Sequence, residues 1–126
     1  MIISYDPMKT PDPEQWLELD SQTRVLLVEE YHEKARVTLP NRTIYAAVHE
    51  VIENQLAQGI SVVQDALSRL MAEGLDRHDA IHAIAWVLSE HMWHLLQEEP
   101  VTGDPNERYF QAVRDLTAKK WLDSVS

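Results

Sequence analysis

The sequence predicts an all-α protein, a compact antiparallel bundle of about five helices, and three observations carry that expectation. No window sustains the period-2 alternation of a half-buried strand. The long segments place apolar residues three and four apart, as in Ile44, Val48, Val51 and Ile52, or in Ile81, Ile84, Leu88, Met92 and Leu95. The three glycines, Gly59, Gly74 and Gly103, fall where these patterns stop, and a helix C-terminus favours a residue that accepts the left-handed conformation.

The elements follow in order from start and stop signals. Asp12-Pro13-Glu14-Gln15 places a capping carboxylate before a proline at the first helical position, opening a helix over about 13–19 that can run on into one over about 21–37. Pro40 interrupts the chain, and Asn41 caps a helix over about 42–58 that Gly59 ends. Ser61 with Gln64 forms a capping box for a short helix over about 62–73. After Gly74, Leu75 folds back and Asp76 caps a helix over about 76–99. Asp104-Pro105-Asn106-Glu107 is the strongest start in the chain and opens a helix over about 105–122. Connections this short make successive helices antiparallel neighbours. Residues 1–126 therefore read as a single helical domain, with an N-terminal arm over 1–11, the bundle over 12–122 and a tail over 123–126. No internal repeat or low-complexity stretch interrupts it.

Composition narrows the chemistry. A hydrophobic content of 44% with 25% charged residues suits a globular core rather than disorder. With 11 Lys+Arg against 21 Asp+Glu, the net charge is −10, and the longest basic cluster is Lys119-Lys120, so neither a nucleic acid nor an anionic membrane is the expected partner. The absence of cysteine excludes disulfides, thiolate catalysis and thiolate metal sites, leaving imidazole and carboxylate as the ligands for any metal. The N-terminus lacks a basic n-region and a long apolar h-region, and no stretch approaches the length of a membrane span, which points to a soluble, cytoplasmic protein. Trp16, Trp86, Trp93 and Trp121 are expected as core or interface anchors, and a homodimer burying Trp or Met surface is compatible with them.

The six histidines carry the functional signal. At about 100° per residue, His78 and His82 fall on one stripe with Ile81, Ala85, Leu88 and Met92, and both are expected to point inward. His49 and Glu53 are likewise four apart, at the edge of the arc carrying Ile44, Tyr45, Val48, Ile52 and Leu56. His32 lies in the arc of Val25, Val28 and Ala35, with Glu29 one turn earlier. Three helices thus each offer an inward pair, the pattern by which a helical bundle builds an imidazole-carboxylate metal site. The candidate ligands are His49, Glu53, His78, His82, His32 and Glu29, the candidate ions zinc and iron, and an open coordination position would let Glu50 or Glu29 accept a proton from bound water. The alternative is a metal-free interaction or regulatory module in which these groups form a buried hydrogen-bonded network, with Trp93, His91, His94 and Trp121 lining a partner-facing patch. His91 and His94, further along their helix, are expected to face solvent or a partner.

Other constellations are weaker. His78-Asp79, with His49 before it and Asp104 or Asp115 after it, follows the order of the HD phosphohydrolases, but the helical wheel turns Asp79 about 100° from His78. No Gly-x-Ser-x-Gly elbow, phosphate loop or dinucleotide fingerprint is present, and no substrate is indicated.

VEEYHEKA at 28–35, AVHEVIENQLAQG at 47–59 and RLMAEGLDRHDAIHAI at 69–84 resemble a family of short bacterial helical proteins of unknown function, and the resemblance implies a helical domain without implying an activity. The order His32, His49/Glu53, His78/His82 is also similar to that of hemerythrin-like bundles, whose ligands bind two irons. That similarity implies a metal site. The helix from Pro105 carries no histidine, so here the similarity implies one metal, or two with Glu29 and Glu50 as substitute ligands.

Overall fold

A computed structural model describes residues 2, 4–34, 42–97 and 103–125. It contains seven helices and no strand among the described residues: α1 (Pro13–Glu18), α2 (Ser21–Lys34), α3 (Arg42–Ala57), α4 (Ser61–Ala72), α5 (Arg77–Leu96), α6 (Pro105–Asp115) and α7 (Ala118–Val125). The expected break at Pro40 and cap at Asn41 lie outside the described residues, as do the expected ends of α2 beyond Lys34 and of α5 at 98–99. The chain divides into two compact units, Met1–Ile60 and Ser61–Ser126.

In the first unit, α3 packs on both α1 and α2. The start of α1 is as expected: the Asp12 carboxylate accepts from the Gln15 amide at 3.0 Å and Pro13 takes the first helical position. A second cap separates α1 from α2, because Leu19 is extended at ψ 147° and the Asp20 carboxylate accepts from the Thr23 amide at 2.7 Å. The Thr23 side-chain hydrogen bond, with this backbone one, holds the Asp20 carboxyl below its ordinary value. Tyr5, Trp16, Leu27, Val28 and Ala46 form the buried cluster. The segment before α1, expected as an arm, thus supplies a core residue. It is bent by a turn in which the Met8 amide donates to the Asp6 carboxylate at 3.0 Å and the Lys9 amide to the Asp6 carbonyl at 3.0 Å.

The buried face of α3 differs from the expected apolar arc. Ile44 and Tyr45 are 58% and 45% exposed, while His49, Glu50 and Glu53 are buried together with Ala46, Ile52 and Leu56. Apolar periodicity places Ile52 and Leu56 and the inward pair His49/Glu53, and misses that Glu50 is buried in place of Ile44 and Tyr45. A partly buried network satisfies Glu50, whose Oε1 accepts from Arg24 at 3.1 Å, from Asn54 at 2.7 Å and from Ser21 at 3.3 Å. Asn54 Oδ1 accepts in turn from Trp16 Nε1 at 2.8 Å and from Arg24 at 2.9 Å. Arg24 also donates to the Leu19 carbonyl, at 3.0 Å from Nε and 2.7 Å from Nη2. One guanidinium therefore joins the α1–α2 connection to α3.

In the second unit, α5 packs on α4, α6 and α7. Its middle is buried almost all round, from Ala80 through Leu88, as a helix enclosed by neighbours requires. The Asp76 carboxylate accepts from the Asp79 amide at 2.7 Å, and Asp104 accepts from the Asn106 amide at 2.9 Å ahead of Pro105. α3 and α4 both end in Schellman motifs. The Ile60 amide donates to the Gln55 carbonyl at 3.1 Å across Gly59 at φ 75°, and the Leu75 amide donates to the Leu70 carbonyl at 3.2 Å across Gly74 at φ 110°. Gly103 also has positive φ, but α5 stops at Leu96, so Gly103 does not cap it.

The helix expected over about 105–122 is two. Leu116 is extended at ψ 135°, and Thr117 Oγ1 accepts from the Lys120 amide at 3.1 Å to start α7. The break is held from α4. Arg69 Nη2 donates to the carbonyls of Val113 and Leu116 at 3.0 and 2.9 Å, and Glu73 Oε1 accepts from the Ala118 amide at 2.8 Å. A cation thus meets the end of one helix and an anion the start of the next, each matching the helix dipole.

Candidate functional site

Each unit contains one histidine pair. In the first, His32 on α2 and His49 on α3 are both 1% exposed, with ring centroids 5.4 Å apart. Each imidazole meets a tyrosine edge-on: Tyr31 against His32 at 5.7 Å and Tyr5 against His49 at 5.5 Å. The Tyr5 hydroxyl lies 2.7 Å from His49 Nε2 and donates to Glu53 Oε2. Glu53, 1% exposed, is therefore linked to His49 through Tyr5. The Tyr5 ring is fixed by tilted packing on Trp16 at 5.4 Å. Glu29 is half-buried on α2, one turn before His32. Glu50 is committed to Arg24, Asn54 and Ser21, which makes it an anchor of α3 rather than an acceptor of protons from water.

In the second unit, His78 and His82 meet edge-on along the first turns of α5 with ring centroids 4.2 Å apart. The spacing of four, on a helix started by the Asp76 cap, puts both rings on one stripe. Both are half-buried. Beside them, burial raises the Asp79 carboxyl above its ordinary value, and the Asp76 charge adds to this. Of their expected stripe, Ile81, Ala85 and Leu88 are buried, whereas Met92 is exposed.

His91 and His94 stand apart from this pair. Both line a groove of about 370 Å³ with Trp86, Arg108 and Leu116. His91 packs on Tyr109 at 5.6 Å, and burial pushes its imidazole below the ordinary value, followed by the charges of Arg108 and His94. His94 is exposed against Trp93 at 5.3 Å. Trp121, expected on the same surface patch, is buried.

Imidazole pairs of this kind suit a borderline transition metal, which binds nitrogen at about 2.0–2.1 Å. Tyr5 is the residue that sequence reasoning missed. Its only signal was an aromatic side chain in an apolar stretch ahead of Pro7, with nothing local to mark the histidine 44 positions away. No helix among the described residues is long and apolar enough to cross a membrane. No protein family, curated protein or solved structure matches the chain.

Proposed function

We propose that the protein binds a transition-metal ion through its histidine pairs, His32/His49 and His78/His82. The observation that carries this reading is that each unit brings two imidazoles together, His32 and His49 buried with ring centroids 5.4 Å apart in the first and His78 and His82 at 4.2 Å in the second. A pair of neutral imidazoles supplies two nitrogen ligands of a kind that zinc and iron both accept. Glu29, one turn before His32 in the sequence, is the carboxylate proposed as a further ligand, and Glu53 is linked to His49 through Tyr5. The similarity in ligand order to hemerythrin-like bundles favours iron, and the all-nitrogen set favours zinc.

Titrating zinc or ferrous ion into metal-free protein against a competing chelator tests the reading. One equivalent bound by wild type and His94→Ala, with binding lost or strongly weakened in His32→Ala and His82→Ala, is the expected result. Equal affinity in all four proteins contradicts it. The second reading, a metal-free buried network, is favoured by the bonds of Tyr5 to His49 and Glu53, which satisfy polar groups without an ion. In that case the chelator leaves the melting temperature unchanged.

A further inference from the structure

The Tyr5 hydroxyl has one proton and sits between two groups that both compete for it. The carboxylate is the stronger acceptor, so the O–H donates to Glu53 Oε2. The oxygen of Tyr5 is then left with acceptor capacity only, and its contact with His49 at 2.7 Å requires a proton on Nε2. A neutral imidazole protonated at Nε2 carries its lone pair on Nδ1.

We infer that Tyr5 is a positioning residue for the metal site: with Glu53 it holds His49 in the Nε2–H tautomer and aims Nδ1 at the ion. The inference rests on the metal-binding reading and deepens it, since it states which nitrogen binds and what selects it. A ligating histidine that donates its other N–H to an acceptor has a fixed ring orientation and a more basic ligating nitrogen. Here the acceptor is a phenol rather than a carboxylate, and the carboxylate stands behind the phenol. The arrangement Glu53–Tyr5–His49 spans α3 and the segment before α1, and every member is buried. Trp16 packs on the Tyr5 ring and so fixes the position of its oxygen between the two groups.

The test uses the full chain, labelled with ¹⁵N in histidine, first metal-free and then loaded with zinc. In the metal-free protein the His49 ring is expected to show a protonated Nε2, its proton shifted downfield and slow to exchange, and an unprotonated Nδ1. On loading, Nδ1 takes the metal-bound shift while the Nε2 proton persists. Tyr5→Phe removes the hydroxyl but keeps the ring, so the Nε2 proton moves upfield and exchanges faster, and zinc affinity falls by about 10–100-fold. Glu53→Gln is expected to weaken affinity in the same direction. Zinc uptake with His49 bound through Nε2, or protonated at Nδ1 before loading, overturns the inference and leaves the metal site standing. An unchanged Nε2 proton and affinity in Tyr5→Phe overturns it as well. No zinc uptake by wild type overturns both.

Discussion

Replacing Arg24 by methionine tests the network that holds α3, with His49 and Glu53, against α2, with His32. The substitution keeps an unbranched side chain of similar length and removes the guanidinium. Glu50, 4% exposed, then loses its 3.1 Å ion pair and keeps only Asn54 and Ser21, while the Leu19 carbonyl loses both of its donors. Removing one partner of a buried ion pair costs about 3–5 kcal/mol. The Arg24 side chain is 15% exposed, so water compensates part of that loss, and a value of about 2–3 kcal/mol is expected. Urea unfolding followed by circular dichroism measures it. With a slope of about 1.5 kcal/mol/M the midpoint falls by roughly 1.3–2 M. Glu50→Gln in the same background recovers part of the loss, because the orphaned charge is gone. A midpoint shift below about 0.3 M in Arg24→Met would refute the reasoning, since it would mean that Glu50 is solvated without its partner.

Three further outcomes follow from other parts of the molecule. Gly74→Ala forces a β-carbon onto a residue at φ 110°, and with no atom near enough to clash the expected loss is backbone strain alone, about 1–2 kcal/mol by thermal melting. Arg69→Ala removes both donors to the Val113 and Leu116 carbonyls, with an expected loss of about 1.5–3 kcal/mol by urea unfolding; full stability would show that Thr117 alone sets the α6–α7 break. His91 is expected to titrate below 6.5 by nuclear magnetic resonance, and its midpoint to rise in Arg108→Ala. Because its folded value is depressed, the unfolded chain takes up the proton first. His91 therefore contributes stability that is present above 6.5 and is lost as the pH falls through its folded value, and His91→Gln removes that part of the acid sensitivity.

Several local signals are legible in the sequence because the deciding partner is a few residues away, although the equally local caps at Asp20 and Thr117 escape it. The caps at Asp12, Asp76 and Asp104 and the glycine ends at Gly59 and Gly74 are hydrogen bonds closed within one turn, so residue type and spacing suffice. The edge-on contact of His78 with His82 is equally local, a spacing of four on one helix. The break between α6 and α7 escaped because its reinforcement comes from Arg69 and Glu73, more than 40 positions earlier. The buried face of α3 is legible in part: His49, Glu53, Ile52 and Leu56 are buried as expected, whereas Ile44 and Tyr45 are exposed and Glu50 is buried. Burial of His49, Glu50 and Glu53 depends on Arg24, Asn54 and Tyr5, whose approach no periodicity encodes.

Metal content most directly tests the central claim. Protein prepared without a histidine tag or a nickel column, dialysed and analysed by inductively coupled plasma mass spectrometry, is expected to carry about one equivalent of zinc or iron in wild type and in His94→Ala, and almost none in His82→Ala. Wild type holding less than about a tenth of an equivalent, and taking up neither ion on reconstitution, would contradict the account.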